Sequence, residues 1–162
     1  VRLISPSGEF WRRDLLHQTQ TLVLAAAVTA LVCVGVLSGL FSPARWRAPQ
    51  TRMQRVAGGL RGLAAGLWLL AMGTFGAKAA QALTDQSSLV FGWPGPLMLT
   101  ASGAGLAAAA LSGAALVMTP WAVAQQGGWS WWRKARFAAT VAVFSAFGLL
   151  LAVLGALQPW NP

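Results

Sequence analysis

The sequence predicts an all-α integral membrane protein: four transmembrane helices, both termini outside, packed as an antiparallel up-down bundle. Three observations carry that reading. Four long apolar stretches divide the chain, charged residues make up only 9% of it, and the basic residues gather in alternate connections. In lipid every backbone N–H and C=O must be paired within the protein, so a stretch of about 20 apolar residues is stable there as a helix. No ten-residue alternating segments of the kind that build a membrane barrel occur.

Composition removes most other classes. The chain has 162 residues, 56% of them hydrophobic, with twelve Lys or Arg against three Asp or Glu. Its mean hydropathy is +0.59. A water-exposed globule of this size needs about 25% charged residues to cover it, which excludes a soluble enzyme, a disordered chain and a secreted disulfide scaffold. The net charge of +9 is compatible with nucleic acid, but the apolar content is not that of a soluble nucleic-acid binder.

Taken in order, residues 1–17 form an external pre-membrane segment. Residues 1–5 read as a strand and residues 6–9 as a turn. A strand this short has no partner in the rest of the chain and is not stable alone, so it is expected to be the last strand of an upstream extracytoplasmic domain. An extended pre-membrane tail accounts for it equally well. Residues 18–162 form the four-helix domain, with spans at about 19–41, 60–83, 97–121 and 136–157. Ser42-Pro43, Pro49, Gly92-Trp93-Pro94-Gly95-Pro96, Pro120 and Gly127-Gly128 punctuate the breaks.

Orientation follows from charge. The first connection and the start of the second span carry Arg45, Arg47, Arg52, Arg55 and Arg61 with no acid; the third connection carries Arg133, Lys134 and Arg136, again with none. The second connection holds only Asp85, and the residues after Leu157 hold no charged side chain. The positive-inside rule places the first and third connections in the cytoplasm. The N-terminal segment holds Arg2, Arg12 and Arg13 opposed by Glu9 and Asp14; Arg12 and Arg13 lie on the wrong side, but the five and three basic residues of the two connections outweigh them. Tryptophan agrees: Trp11, Trp46, Trp93, Trp121, Trp129, Trp131, Trp132 and Trp160 fall at span ends, where an indole is half buried at headgroup level. Trp68 alone lies well inside a span.

Self-contained chemistry is poorly provided for. His17 is the single histidine and stands at the outer end of the first span, whereas a bis-imidazole haem needs two. Cys33 is also alone, so no disulfide or Cys-x-x-Cys site forms within the chain, and it is expected to pack as a small apolar residue. Three carboxylates make no acidic metal cluster. There is no phosphate-binding Gly-rich loop, Ser-x-x-Lys or Gly-x-Ser-x-Gly. No catalytic residue, metal site or cofactor is expected. Lys78 is the exception that invites a role, because a cation at mid-bilayer costs about 2.5–3.5 kcal/mol or more. It reads either as an intramembrane polar site, with Asp85 or a partner's carboxylate, or as a snorkelling residue. Its place five residues before the end of the span favours the second.

Small residues recur every four positions at Gly58, Gly62 and Gly66, at Ala101, Gly105, Ala109 and Gly113, and at Ala138, Ala142 and Ala146. Such spacing lets membrane helices approach closely, and predicts contact between the second and third spans. The long third connection, 119–136, interleaves Trp129, Trp131 and Trp132 with Arg133, Lys134 and Arg136. It reads as an interfacial segment on anionic headgroups, as do Arg45, Arg47, Arg52 and Arg55 in the first connection. The lipid bilayer is thus an expected partner, and nucleic acid is not.

The run Trp131-Trp132-Arg133-Lys134-Ala135-Arg136-Phe137 leads into a final apolar span that closes on Gln158-Pro159-Trp160-Asn161-Pro162. With the strand-like external start and four spans, this layout resembles the C-terminal membrane region of bacterial serine hydrolases of the β-lactamase-related, penicillin-binding-protein-like class. The resemblance implies a multi-pass anchor in a bacterial inner membrane, holding an extracytoplasmic serine hydrolase or peptidase domain. That family's Ser-x-x-Lys lies in the catalytic domain and is absent here, so no catalytic residue carries over. The competing expectation is an accessory, non-catalytic subunit of a respiratory, photosynthetic or transport complex, partnered by other membrane subunits. A small autonomous transporter is disfavoured, because no inverted repeat with broken helices is visible.

Overall fold

The computed structural model describes residues 2–5, 8–11, 19–41, 50–84, 95–126 and 128–157. Four helices form its body: α1 (Thr19–Leu40), α2 (Arg52–Thr84), α3 (Pro96–Ala124) and α4 (Trp131–Val153). All four are long and apolar enough to cross a membrane. Ahead of them, β1 (Arg2–Ser5) and β2 (Gly8–Trp11) pair antiparallel, with Arg2 opposite Trp11, Leu3 opposite Phe10, Ile4 opposite Glu9 and Ser5 opposite Gly8. This corrects the expectation of a strand without a partner. Gly8 and Glu9 belong to β2 and not to a turn.

The four spans stand where expected, but two of them start earlier. The 33 residues of α2 make a rod about 50 Å long, well beyond a hydrocarbon core of about 30 Å. Its extra turns carry Arg52 and Arg55, and a capping box starts it. The Gln54 backbone N–H donates to Thr51 Oγ1, and the Thr51 N–H donates to Gln54 Oε1, each at 3.3 Å. In the same way α4 begins at Trp131, so that Trp131 to Arg136 are its first turn and a half and not a separate interfacial segment.

The other two departures concern helix ends. Pro120 is expected to close the third span, yet α3 runs through it to Ala124. A membrane helix tolerates proline; beside it the Thr119 hydroxyl donates to Ala115 O at 2.8 Å. At the far end α4 stops short of the expected 157. Gly155, at φ +69, closes it in a Schellman motif: Ala156 N–H donates to Leu151 O at 3.0 Å and Gly155 N–H to Ala152 O at 3.1 Å.

Packing follows the chain order, with α2 and α3 forming the most extensive pair, then α3 with α4 and α1 with α2; α4 meets α1 more sparsely to close the ring. The expected contact between the second and third spans is therefore present, and Gly58, Gly62, Ala101 and Gly105 of the small-residue runs are buried. Buried in α2 are Gln54, Ala57, Gly58, Gly62, Ala64, Ala65, Trp68, Ala71 and Lys78, and in α3 Ala101, Ser102, Ala104, Gly105, Ala108, Ser112, Ala115 and Ala122. Gly66 is exposed, and a methyl added there would touch nothing; one added at Gly62 would meet Leu40 of α1 at 3.3 Å. On α4, Ala142 and Ala146 face outward, and Phe137, Thr140, Val141, Phe144, Phe147 and Gly148 face the bundle.

Among the described residues Trp68 is the largest fully buried side chain, and it lies in the core cluster that draws on all four helices. Its Nε1–H donates to Ser112 Oγ at 3.3 Å, and that hydroxyl donates on to Ala108 O at 2.7 Å. Its ring meets Phe147 edge-on at 5.0 Å. Gly148 makes room: a methyl there would lie 3.3 Å from Ala109 Cβ and 3.5 Å from the Trp68 ring. Cys33 and Val36 of α1 complete this cluster, so all four helices contribute, and Cys33 packs as the small apolar residue expected of it.

Candidate functional site at the basic end of the bundle

The three carboxylates of the sequence are Glu9, Asp14 and Asp85, so no acid lies within α1 to α4. No cation in these helices therefore pairs with a carboxylate of another helix. Six of the seven helical cations, Arg52, Arg55, Arg61, Arg133, Lys134 and Arg136, lie toward the starts of α2 and α4. The antiparallel packing brings those starts to the end of the bundle where α3 terminates: Gln54 Nε2–H donates to Ala122 O at 3.4 Å, and Lys134 Nζ to Val123 O at 2.7 Å.

These bonds are also how the end is held together. The last carbonyls of a helix have no intrahelical donors, and the helix dipole places partial negative charge there. Lys134 answers both needs for α3, donating to Val123 O and, at 2.9 Å, to Gln125 O. Gln54, fully buried, is at once the last residue of the α2 capping box and a clamp on α3. Sequence reasoning missed it, although Thr51-Arg52-Met53-Gln54 is a Ser/Thr-x-x-Glu/Gln signature. Arg61 lies 5.3 Å from the centre of the Phe137 ring, and Trp129 packs against the same ring at 5.0 Å.

The remaining groups face outward. Arg52 and Arg55 are exposed, and Trp131 and Trp132 are 78% and 71% exposed at the first turn of α4. Arg136 is exposed too, with one guanidinium N–H on Gly35 O of α1 at 3.3 Å. Beside it a groove of about 350 Å³ opens between α1 and α4. The expected headgroup-facing set thus divides: Lys134 is committed to carbonyls, while Arg52, Arg55, Trp131, Trp132 and Arg136 present surface. Arg133 is half-buried. Arg45 and Arg47 lie outside the described residues.

Lys78 stands apart, in the last third of α2 and away from the basic end. It is 8% exposed, so protein covers most of its stem. Asp85, its expected counterpart, lies outside the described residues, as does His17. Among the described residues no three His, Cys, Asp or Glu side chains come together as a metal site. Of the tryptophans expected at boundaries, Trp121, Trp131 and Trp132 are exposed and Trp129 is half-buried against Phe137. Trp46, Trp93, Trp160 and the side chain of Trp11 are not among the described groups.

Comparison with known proteins finds no family model, no curated protein and no solved structure that matches this chain.

Proposed function

We propose that this chain is the four-helix membrane anchor of a larger bacterial inner-membrane protein, with the basic end in the cytoplasm and both termini on the outer side. The supporting observation is the asymmetry of the bundle: one end collects six cations on helices free of carboxylates, the arrangement that positive-inside insertion favours. Exposed Leu, Val and Phe side chains along all four helices, among them Leu31, Leu63, Leu116 and Leu149, suit a lipid-facing surface. In this reading the anchor holds an extracytoplasmic serine hydrolase domain at the membrane, an assignment that rests on the resemblance in layout.

Two experiments test the two halves of the proposal. A reporter active only outside the cytoplasm, fused after Pro162, is expected to be active; activity of a cytoplasm-only reporter at that position contradicts the orientation. For the attached domain, a serine-reactive fluorophosphonate or β-lactam probe is expected to label the cellular protein in the membrane fraction. Absence of any labelled species, together with copurification at fixed stoichiometry with other membrane subunits, would replace this reading by the accessory-subunit one.

A further inference from the structure

We infer that the groove between α1 and α4 is a seat for one anionic phospholipid, with its phosphate on Arg136 and the start of one acyl chain along the groove. The inference rests on the proposed placement of the basic end at a membrane surface. The groove, about 350 Å³, is lined by Leu31, Val32, Gly35, Ala139 and Val143, with Arg136 among them. Gly35 and Ala139 are what open it: neither fills the space between the helices. Its wall is apolar because the Thr140 hydroxyl is already donated to Arg136 O at 2.7 Å.

Charge and direction select the occupant. Arg136 carries five N–H donors in a planar fork that matches a phosphate. The contact to Gly35 O, at 3.3 Å, engages one nitrogen of an exposed side chain, and a neutral carbonyl is a weaker acceptor than a phosphate anion. Arg133, three residues earlier, lies on the same stripe of α4. No carboxylate on α1 to α4 competes for either guanidinium. The groove runs along the helices from Gly35 and Arg136 toward Leu31 and Val143, as an acyl chain lies in a bilayer. Trp131 marks the headgroup level, and Arg136 stands about 7 Å further along the helix axis, where a phosphate and the first methylenes meet.

The test uses the full chain purified in neutral detergent, with lipid retention read by native mass spectrometry. Phosphatidylglycerol is expected to be retained as a single bound lipid at concentrations where phosphatidylcholine is not, and millimolar inorganic phosphate is not expected to displace it. Arg136→Gln is expected to weaken retention about tenfold, since it replaces a charge-assisted pair. Ala139→Leu, at an exposed position, fills the groove without touching charge and is expected to weaken it comparably. Arg52→Gln removes a cation from the same end outside the groove and is expected to leave retention unchanged.

Equal losses in Arg136→Gln and Arg52→Gln, or no loss in Ala139→Leu, would overturn the seat in favour of diffuse attraction. Displacement by inorganic phosphate would overturn its lipid character. Detergent makes the assay blind to sidedness, so the two proposals fail separately. Lost retention with an outside C-terminal reporter overturns the seat alone, and intact retention with a cytoplasmic one overturns the orientation alone.

Discussion

The α2–α3 seam and the α1–α4 seam are built from opposite materials. Along the first, the buried side chains are mostly small, Ala57, Ala64 and Ala65 of α2 clustering with Ala108 and Ala115 of α3, with one large residue, Trp68, set among them. Along the second, Leu31, Val32 and Val143 stand around an open groove and one guanidinium bond crosses it. In lipid there is no hydrophobic force to draw helices together, because the acyl chains are as apolar as leucine. Close backbone approach, dispersion and interhelical hydrogen bonds decide which pairs are tight. Small side chains bring α2 and α3 together, and two hydrogen bonds, Gln54 to Ala122 O and Trp68 to Ser112, fix them. The hairpin of α2 and α3, braced by α4, is therefore the rigid part, and the junction of α1 with α4 is the yielding one.

That contrast is open to four substitutions, each read as unfolding of the purified chain in detergent. Trp68→Ala empties part of the core and orphans the Ser112 contact, and is expected to cost about 3–5 kcal/mol. Gly148→Leu forces a side chain against Ala109 and the Trp68 ring, and about 1–3 kcal/mol of overpacking is expected. With Gln54→Ala, loss of the capping box and of the clamp on Ala122 O is expected to cost about 1–2 kcal/mol. Leu31→Ala, at a residue 74% exposed beside the groove, is expected to change stability by less than about 0.5 kcal/mol. A Leu31→Ala loss equal to that of Trp68→Ala would abolish the distinction between the seams. A Gln54→Ala variant as stable as the parent would show that the clamp adds nothing to the tight one.

Much of the bundle is legible in the sequence because its spans are read from apolar length alone. Apolar length puts the first span at 19–41, and α1 covers Thr19–Leu40. Charge misleads at α2 and α4, since an apolar window ends at the first arginine whereas a helix does not. The Thr51-x-x-Gln54 box and Gly155 are available as start and stop signals. The small-residue runs point to the right pair of helices through partly the wrong residues. A four-residue step turns about 40° past a full circle, so a long run walks off the interface. The buried residues of α3 step by three or four, at Ala101, Ala104, Ala108, Ser112 and Ala115, and so stay on one face. The groove is beyond the sequence, because nothing local to Gly35 or Ala139 says that the two come together 104 residues apart.

The central claim is that the basic end of the bundle faces the cytoplasm, and the connection between α3 and α4 tests it directly. Gln126 is exposed there, and the single native cysteine, Cys33, is fully buried. In a Cys33→Ala background, Gln126→Cys should react with a membrane-impermeant maleimide only after the inner membrane is opened. Labelling in intact spheroplasts at the same rate as in opened ones would place that end outside, and would contradict the anchor as described.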